Sequence, residues 1–329
     1  MTSGEGRLLE LSKIYQSVQE DLAKVKDNLR SITKVDFPWL SEQLGYVVRG
    51  GGKGIRPVLT LLAGKFYNYN LKYLLPMAVS VELMHTATLV HDDAIDKSGI
   101  RRGRPTIYKM WGEEPAVLLG DYLLAKAGES VSDTQNPRVI KLFSQTLATI
   151  SSGELSQFLG AFKLEQTRQY YFQRIASKTA SLFSLATESG AILSEAPEKS
   201  VTALKEYGHN LGIAFQIVDD ILDFIGTEDE LGKPIGSDLA QGTVTLPTML
   251  LLERYPENNP VKSLFENKDK QKNVELAIEL IRNSSIVEEC YAVASEYCTK
   301  AYQNLSLLPD NSSRQALTDL TNYVIVRKK

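Results

Sequence analysis

Apolar residues recur at alternating steps of three and four along the chain, beginning with Leu8, Leu11, Tyr15, Val18 and Leu22. This spacing lies on one face of a helix and predicts an amphipathic helix for the first segment. Similar patterns, mostly separated by Gly, Pro, Asn or Asp, predict helices over residues 8–32, 38–49, 55–67, 74–96, 115–131, 138–164, 168–193, 198–226, 239–254, 273–284, 286–305 and 313–326. Since no stretch shows the alternation of a half-buried strand, we expect an all-α bundle around a central cavity.

Composition favours a single globular domain over residues 1–329. The hydrophobic fraction of 43% is ample for a sizeable core, and no Ser/Gly/Pro-rich linker divides the chain. The net charge is −3 without a long basic stripe, which argues against nucleic acid as the main ligand. The first residues lack the apolar core of a signal peptide, and no segment reaches the roughly 18 uninterrupted apolar residues that span a bilayer. We therefore expect a cytoplasmic protein without a transmembrane segment.

One acidic spacing, Asp-Asp-x-x-Asp, occurs twice on predicted helices. The first acidic motif is Asp92, Asp93 and Asp96, and the second acidic motif is Asp219, Asp220 and Asp223. The first and fifth positions of such a group are about 40° apart around a helix axis and share a face. Ionised carboxylates on an apolar helix are costly to bury, and divalent cations remove that cost. Because Mg²⁺ usually completes its shell with water and phosphate oxygens, the repeat indicates diphosphate chemistry.

Basic residues stand close to the first acidic motif and in a glycine-rich stretch before it. Residues 50–57 read Gly-Gly-Gly-Lys-Gly-Ile-Arg-Pro, in which Lys53 and Arg56 supply a point charge and a planar fork suited to phosphate. The Gly-Lys-Ser/Thr ending of a Walker loop is absent, and an ordinary helix connection is the alternative interpretation. Arg101 and Arg102 follow the first acidic motif directly, which favours a diphosphate role over simple solvation.

The segments 99–105 and 227–237 directly follow the two acidic motifs. Both are rich in glycine, proline and charge, so we predict loops at the mouth of the cavity, of the kind that often act as catalytic lids. His85 and His91 are six residues apart and point to different faces of their helix, which argues against a shared zinc ion.

Taken in chain order, these residues resemble the trans (E-type) polyprenyl diphosphate synthases. The series is residues 50–57, His85, the first acidic motif, Arg101-Arg102, Gly120-Asp121, Lys178-Thr179, Gln216 and the second acidic motif. The resemblance extends from about Leu8 to Arg327 and points to long-chain members such as octaprenyl and solanesyl diphosphate synthases. It implies the all-α isoprenoid-synthase fold, usually as a homodimer, with the two acidic motifs facing each other across a deep pocket.

The resemblance also implies a role for each site residue. In this family pattern, Mg²⁺ is bound by Asp92, Asp96, Asp219 and Asp223. The catalytic aspartates also include Asp93 and Asp220. Contacts to the allylic prenyl diphosphate fall to Arg101, Lys178, Thr179, Gln216 and Lys233. Contacts to isopentenyl diphosphate fall to Lys53, Arg56, His85 and Arg102. Departure of the allylic diphosphate leaves a cation that the double bond of isopentenyl diphosphate attacks, and the released diphosphate is expected to take the proton.

Product length is predicted from the residues that precede the first acidic motif. Ala87 and Thr88 lie one turn before Asp92, about 6 to 7 Å along the axis, and both are small where short-chain relatives carry a bulky side chain. Met84, a further turn away, is flexible and could form a partial floor. We therefore expect an open tunnel and a product longer than geranylgeranyl diphosphate.

Three alternatives remain open from the sequence. A geranylgeranyl or farnesyl diphosphate synthase would differ only in pocket depth. A class I terpene cyclase is disfavoured, because Lys53, Arg56 and His85 match an isopentenyl diphosphate site that a cyclase does not need. A non-catalytic regulatory subunit would be expected to have lost some of the aspartates. Thr243 stands where many relatives place a lysine, so one diphosphate contact is absent or comes from elsewhere.

Overall fold

Helices form almost all the regular structure in the part of the chain that the computed structural model describes, residues 11–227, 234–266 and 268–327. Residues 11–15 are helical and lead into a 3₁₀ turn, Gln16–Val18. The helices that follow are α1 (Gln19–Ile32), α2 (Pro38–Arg49), α3 (Ile55–Gly64), α4 (Leu71–Ile95), α5 (Ile107–Trp111), α6 (Glu113–Ser132), α7 (Pro137–Gly160), α8 (Arg168–Ile175), α9 (Ser181–Leu193), α10 (Glu198–Ile225), α11 (Ser237–Ala240), α12 (Leu246–Arg254), α13 (Pro260–Phe265), α14 (Lys270–Arg282), α15 (Ile286–Leu305) and α16 (Ser312–Val326). The all-α prediction is confirmed.

Two long helices, α4 and α10, carry the acidic motifs near their C-terminal ends. Helix α4 packs against α3 and α6, and α10 packs against α9 and α15. About half of the residues of α4 and most of those of α10 are buried, because other helices pack around them. The site therefore stands on rigid central elements.

A short π-helical turn, residues Ala176–Ala180, separates α8 from α9 and is held by two close backbone approaches. A Cβ atom at Gly153 of α7 would lie 2.8 Å from the Ser177 Cβ, and one at Gly212 of α10 would lie 2.5 Å from the Ala180 Cα. Neither position has room for a side chain. The two glycines thus let α7 and α10 clamp this turn between them. Single π-turns inside helices often occur at functional sites.

The structure corrects three details of the predicted elements. The predicted loop 99–105 contains an antiparallel hairpin of two-residue strands, β1 (Ile100–Arg101) and β2 (Arg104–Pro105), which are too short to show alternation. The single helix predicted over 168–193 is interrupted by the π-turn. The helix predicted over 239–254 is broken, since Gly242 takes a φ of 83° between α11 and α12.

Helix α4 is long and apolar enough, by length and composition alone, to cross a membrane. The sequence criterion of an uninterrupted apolar run did not identify it, because polar residues are scattered along the helix. Of its most apolar window, 56% is buried inside the protein. That burial is typical of the core helix of a globular domain.

Candidate active site

The first acidic motif lies at the C-terminal end of α4, and protein cations accompany two of its carboxylates. Lys178 Nζ is 3.4 Å from Asp92 Oδ2, and Arg101 Nε donates to Asp93 Oδ1 at 2.8 Å. Burial raises the pKa of Asp93 to about 6, against the opposing effect of Arg101. Burial is also the main cause that raises the pKa of Asp96, the C-cap residue of the helix. The motif thus concentrates negative charge in a poorly solvated place.

Two aspartates of the second acidic motif, on α10, are buried and accept hydrogen bonds from neutral groups. Asp220 is 2% exposed and accepts hydrogen bonds from Tyr171 Oη at 2.7 Å and Gln216 Nε2 at 2.8 Å. Burial raises its pKa to about 7. Asp223 is 1% exposed and accepts from Ser237 Oγ at 3.0 Å. These bonds tie the second motif to neighbouring elements.

Asp219 differs from Asp220 because its carboxylate contacts a cation. Arg327 Nη2 donates to Asp219 Oδ1 at 2.7 Å. The Asp219 side chain is 33% exposed, whereas the Arg327 side chain is 4% exposed. The pair therefore joins a buried guanidinium to a carboxylate that is partly exposed to solvent.

The π-turn brings the two acidic motifs together. Its Lys178 reaches Asp92 of the first motif, while the adjacent Thr179 donates from Oγ1 to Gln216 Oε1 at 2.6 Å. Gln216 in turn bonds Asp220 of the second motif. Two consecutive side chains thus link motifs that are far apart in sequence. Five of the predicted site residues meet at this point because α7 and α10 clamp the turn.

Two further acids, which the sequence analysis missed, lie in the same place. Glu154 of α7 contacts Lys178 Nζ at 2.8 Å, so this lysine stands between Glu154 and Asp92. Asp238 of α11 raises the pKa of both Asp96 and Asp220 by charge repulsion, although burial is the larger cause in each case. One carboxylate that acts on both motifs indicates that the motifs face a common space.

Two of the four predicted isopentenyl diphosphate residues, His85 and Arg102, line a cavity of about 570 Å³. Its lining includes the glycines Gly50–Gly52, His85 and Arg102, together with apolar side chains of α1. Burial, and then the charges of Arg56, Arg102 and Arg101, hold the pKa of His85 well below its usual value. A neutral imidazole among three guanidinium groups is a setting that favours an anion.

Lys53 lies in the glycine-rich loop and Arg56 in the first turn of α3. Their side chains pack against aromatic rings and not around the cavity. Lys53 Nζ lies 5.5 Å from the ring centre of Tyr323, and the Arg56 guanidinium lies 5.0 Å from that of Phe183. Neither residue is part of the cavity lining given above. The structure therefore places the four predicted isopentenyl diphosphate contacts in two neighbouring groups.

The residues proposed to control product length are packed. Ala87 and Met84 have no exposed surface, and Thr88 Oγ1 donates to the His85 carbonyl at 2.8 Å. A growing prenyl tail would have to displace packed side chains at this level of α4. The open tunnel stays a prediction.

Three comparisons with known proteins agree with this geometry. A family model described as polyprenyl synthetase matches residues 37–281. The chain is 38% identical to component 2 of heptaprenyl diphosphate synthase from Bacillus subtilis, over 97% of this chain and 92% of that protein. It is 36% identical to solanesyl-diphosphate synthase 2, chloroplastic, of Oryza sativa subsp. japonica, over 97% and 80%. The crystal structure of heptaprenyl diphosphate synthase from Staphylococcus aureus gives a TM-score of 0.91 at 38% identity, over 95% and 99%.

The chain belongs to the polyprenyl synthetase family. Membership confirms the resemblance seen in the sequence and the isoprenoid-synthase fold. The roles of individual residues in this chain stay predictions, and they gain support only from the contacts described above.

The donor set of the two acidic motifs fits a hard divalent cation such as Mg²⁺, because carboxylate oxygens are the ligands that it prefers. Among the described residues, no group of three or more His, Cys, Asp or Glu side chains is arranged to hold an ion alone. Water and diphosphate oxygens would therefore supply much of the shell. Asp92 and Asp219 keep an exposed side for this purpose, whereas Asp223 is engaged with the segment that follows α10.

Lys233 and most of the second predicted lid lie outside the described residues. Thr243 is half-buried, and its backbone N–H donates to the Asp238 carbonyl at 2.9 Å. The position therefore orders the segment between α11 and α12, and its short side chain supplies no cation to the site.

Proposed function

We propose that the protein is a Mg²⁺-dependent trans-prenyltransferase that adds isopentenyl diphosphate to an allylic prenyl diphosphate and makes a long-chain product. One observation carries the proposal: the π-turn places Lys178 against the first acidic motif and Thr179 against a residue bonded to the second. A cation beside the first acidic motif, on a turn that also contacts the second motif through Gln216, is suited to bind a diphosphate held by metal ions at the two motifs. The long-chain names of the relatives support the product class.

The allylic diphosphate would bind where Lys178, Arg101 and the exposed side of Asp92 converge. Mg²⁺, when bound, would supply positive charge against the diphosphate as it leaves. Lys178 and Arg101 add fixed positive charge on the same side, and this charge stabilises the departing group more than the bound substrate. Tyr171 and Asp220, behind the second acidic motif, are almost fully buried. The allylic cation has to be shielded from water, which would capture it.

Isopentenyl diphosphate would bind on the side of His85 and Arg102. Because burial and neighbouring arginines keep His85 neutral, it acts as a hydrogen-bonding group and not as a charge. Arg102 offers a planar fork to phosphate oxygens. Lys53 and Arg56 would complete this anion site from the neighbouring α3 side.

A second chain is expected to cover an apolar face at the C-terminal end of α7. Leu155, Phe158 and Leu159 are spaced for one helical face and are 64%, 68% and 66% exposed. Exposed apolar patches of this kind mark interaction surfaces. We propose a homodimer. The name of the Bacillus subtilis relative, a component of its synthase, makes a different partner chain the second candidate.

The direct test uses the purified protein alone with a farnesyl diphosphate primer, labelled isopentenyl diphosphate and Mg²⁺. We expect products beyond the geranylgeranyl length after dephosphorylation and chromatography. Products that stop at that length would favour the short-chain alternative. Lack of turnover by the single chain, restored by a co-expressed partner, would favour the two-component enzyme.

Steady-state kinetics with each substrate varied in turn test the two substrate sites. Lys53→Ala should mainly raise the KM for isopentenyl diphosphate, and Lys233→Ala should mainly raise the KM for the allylic substrate. A rise in the allylic KM alone for Lys53→Ala would show that the two sites have been assigned to the wrong residues.

A further inference from the structure

Arg327, which follows α16, is a buried guanidinium attached to the second acidic motif. Its Nη2 donates to the Phe215 carbonyl at 2.7 Å and to Asp219 Oδ1 at 2.7 Å. Its guanidinium carbon also lies 3.7 Å from the centre of the Phe215 ring. Two of these three contacts are to Phe215, so the guanidinium is held near α10 whether or not it bonds Asp219.

Two aromatic rings connect Arg327 to the predicted isopentenyl diphosphate site. The Phe215 and Phe183 ring centres are 5.1 Å apart, and the Arg56 guanidinium lies over the far ring at 5.0 Å. At each end of this aromatic pair the arginine Nε is buried and has no hydrogen-bond partner among the described residues. A buried N–H group without an acceptor is costly, and a phosphate oxygen would satisfy it.

We propose that Arg327 couples the metal site to the isopentenyl diphosphate site: it neutralises Asp219 when metal is absent, and binds the second diphosphate once a cation takes Asp219. The proposal rests on the function proposed above. Two cations on one carboxylate oxygen repel each other, so metal binding at Asp219 weakens the bond to Arg327. By thermodynamic linkage, the same bond must weaken metal binding.

The contacts to Phe215 explain why the guanidinium, once Asp219 binds a metal ion, would still be placed to bind the second diphosphate. Neither the carbonyl bond nor the ring contact involves Asp219, so both would hold the guanidinium and its unpaired Nε beside Phe215 once a cation binds Asp219. The planar fork of arginine matches phosphate geometry. Metal binding would thus prepare the isopentenyl diphosphate site, with the allylic substrate and its metal bound first.

The test measures metal affinity without turnover. Mn²⁺ is titrated into substrate-free protein, and free Mn²⁺ is followed by electron paramagnetic resonance. Arg327→Gln should bind Mn²⁺ about fivefold more tightly than wild type, at the low end of typical coupling energies. Arg327→Lys keeps a buried cation, so it should fold even where Arg327→Gln does not, and it should show a smaller increase. In steady-state kinetics both variants should raise the KM for isopentenyl diphosphate more than they lower kcat.

Arg282, the last residue of α14, supplies a matched control because its side chain contacts the C-terminal end of α10. Its Nε donates to the Phe224 carbonyl at 2.7 Å and its Nη2 to the Gly226 carbonyl at 3.2 Å, without a bond to an aspartate of the motif. Arg282→Gln should lower the melting temperature without tightening Mn²⁺ binding. If it tightened Mn²⁺ binding as much as Arg327→Gln, general loosening of α10 would explain the effect and the proposal would fail.

Unchanged or weaker Mn²⁺ binding in both Arg327 variants would overturn the coupling, while normal wild-type turnover would leave the proposed function intact. A wild-type protein that binds no Mn²⁺, and whose Asp92→Ala variant keeps full activity, would remove the metal site and the coupling together.

Discussion

The two acidic motifs share one sequence pattern but occupy different environments. In the first motif, the contacts of Asp92 and Asp93 are to the cations Lys178 and Arg101. In the second motif, Asp220 and Asp223 accept hydrogen bonds from neutral donors and are almost fully buried. Charge pairs therefore dominate the contacts of the first motif, whereas hydrogen bonds build Asp220 and Asp223 into the fold.

The two environments predict different consequences when an aspartate changes its partner or is removed. A carboxylate paired with a cation can exchange that partner for a metal ion, because both partners carry positive charge. A buried carboxylate that satisfies hydroxyl and amide donors cannot be removed without leaving those donors unpaired. Asp219 differs from Asp220 in this respect, since its partner Arg327 is a cation and its own side chain is 33% exposed.

The largest effect is expected for activity at the first motif. Asp92→Ala should lower kcat/KM by roughly 100-fold or more, the scale seen when one transition-state contact is lost. Stability should change by less than about 1 kcal/mol, because Lys178 keeps its 2.8 Å contact with Glu154 and the repulsion from Asp96 is relieved. Kinetics and urea unfolding of the same preparation check both parts. Near-normal turnover would remove Asp92 from the metal site.

A large stability effect is expected at the second motif. Asp220→Ala should lower the free energy of unfolding by about 1–3 kcal/mol, because Tyr171 Oη and Gln216 Nε2 lose their acceptor inside the protein. Asp220→Asn retains an oxygen acceptor and should lose less. Urea unfolding with matched m-values gives the comparison. Equal stability of Asp220→Ala and wild type would contradict the structural role.

The sequence predicted the helices and the spacing of both motifs because those depend on local periodicity. It did not predict the partners of the aspartates, since Tyr171 is 49 residues from Asp220 and Arg327 is 108 residues from Asp219. Such contacts are created by packing between helices. The π-turn was also missed, because residues 176–180 keep a helical pattern and differ only in their backbone bonding. Glu154 lies within an ordinary amphipathic helix and gave no signal of its own.

A smaller effect concerns product length on the helix of the first motif. Ala87→Phe should shorten the final product to about the geranylgeranyl level while retaining the first condensation steps. Because Ala87 is fully buried, the larger ring should also cost about 1–3 kcal/mol by overpacking, unless the neighbouring side chains can yield. Chromatography of the dephosphorylated products from wild type and variant tests this. An unchanged product distribution would mean that the tail follows another route.

The smallest effect is expected at the hairpin that follows the first motif. The arginine predicted there for substrate binding is not the residue type that the backbone conformation favours. Arg102 and Gly103 form its two-residue turn with φ values of 53° and 72°. This turn favours Gly or Asn, and a bulky residue in the left-handed region costs on the order of 1 kcal/mol. Arg102→Gly should therefore leave stability unchanged or raise it by up to about 0.5 kcal/mol, since glycine's greater unfolded-state entropy offsets part of the gain.

The same substitution removes the guanidinium beside Gly52, so the KM for isopentenyl diphosphate should rise. Arg104 provides the control, because it lies in β2 and its guanidinium sits 4.0 Å from the ring centre of Tyr46. Arg104→Ala removes a nearby charge and a packing contact without relieving the turn, and it should lower stability. If Arg102→Gly destabilised the protein more than Arg104→Ala in urea unfolding, the turn would not be strained. The arginine would then be retained for the fold, as Asp220 is, and not for the substrate.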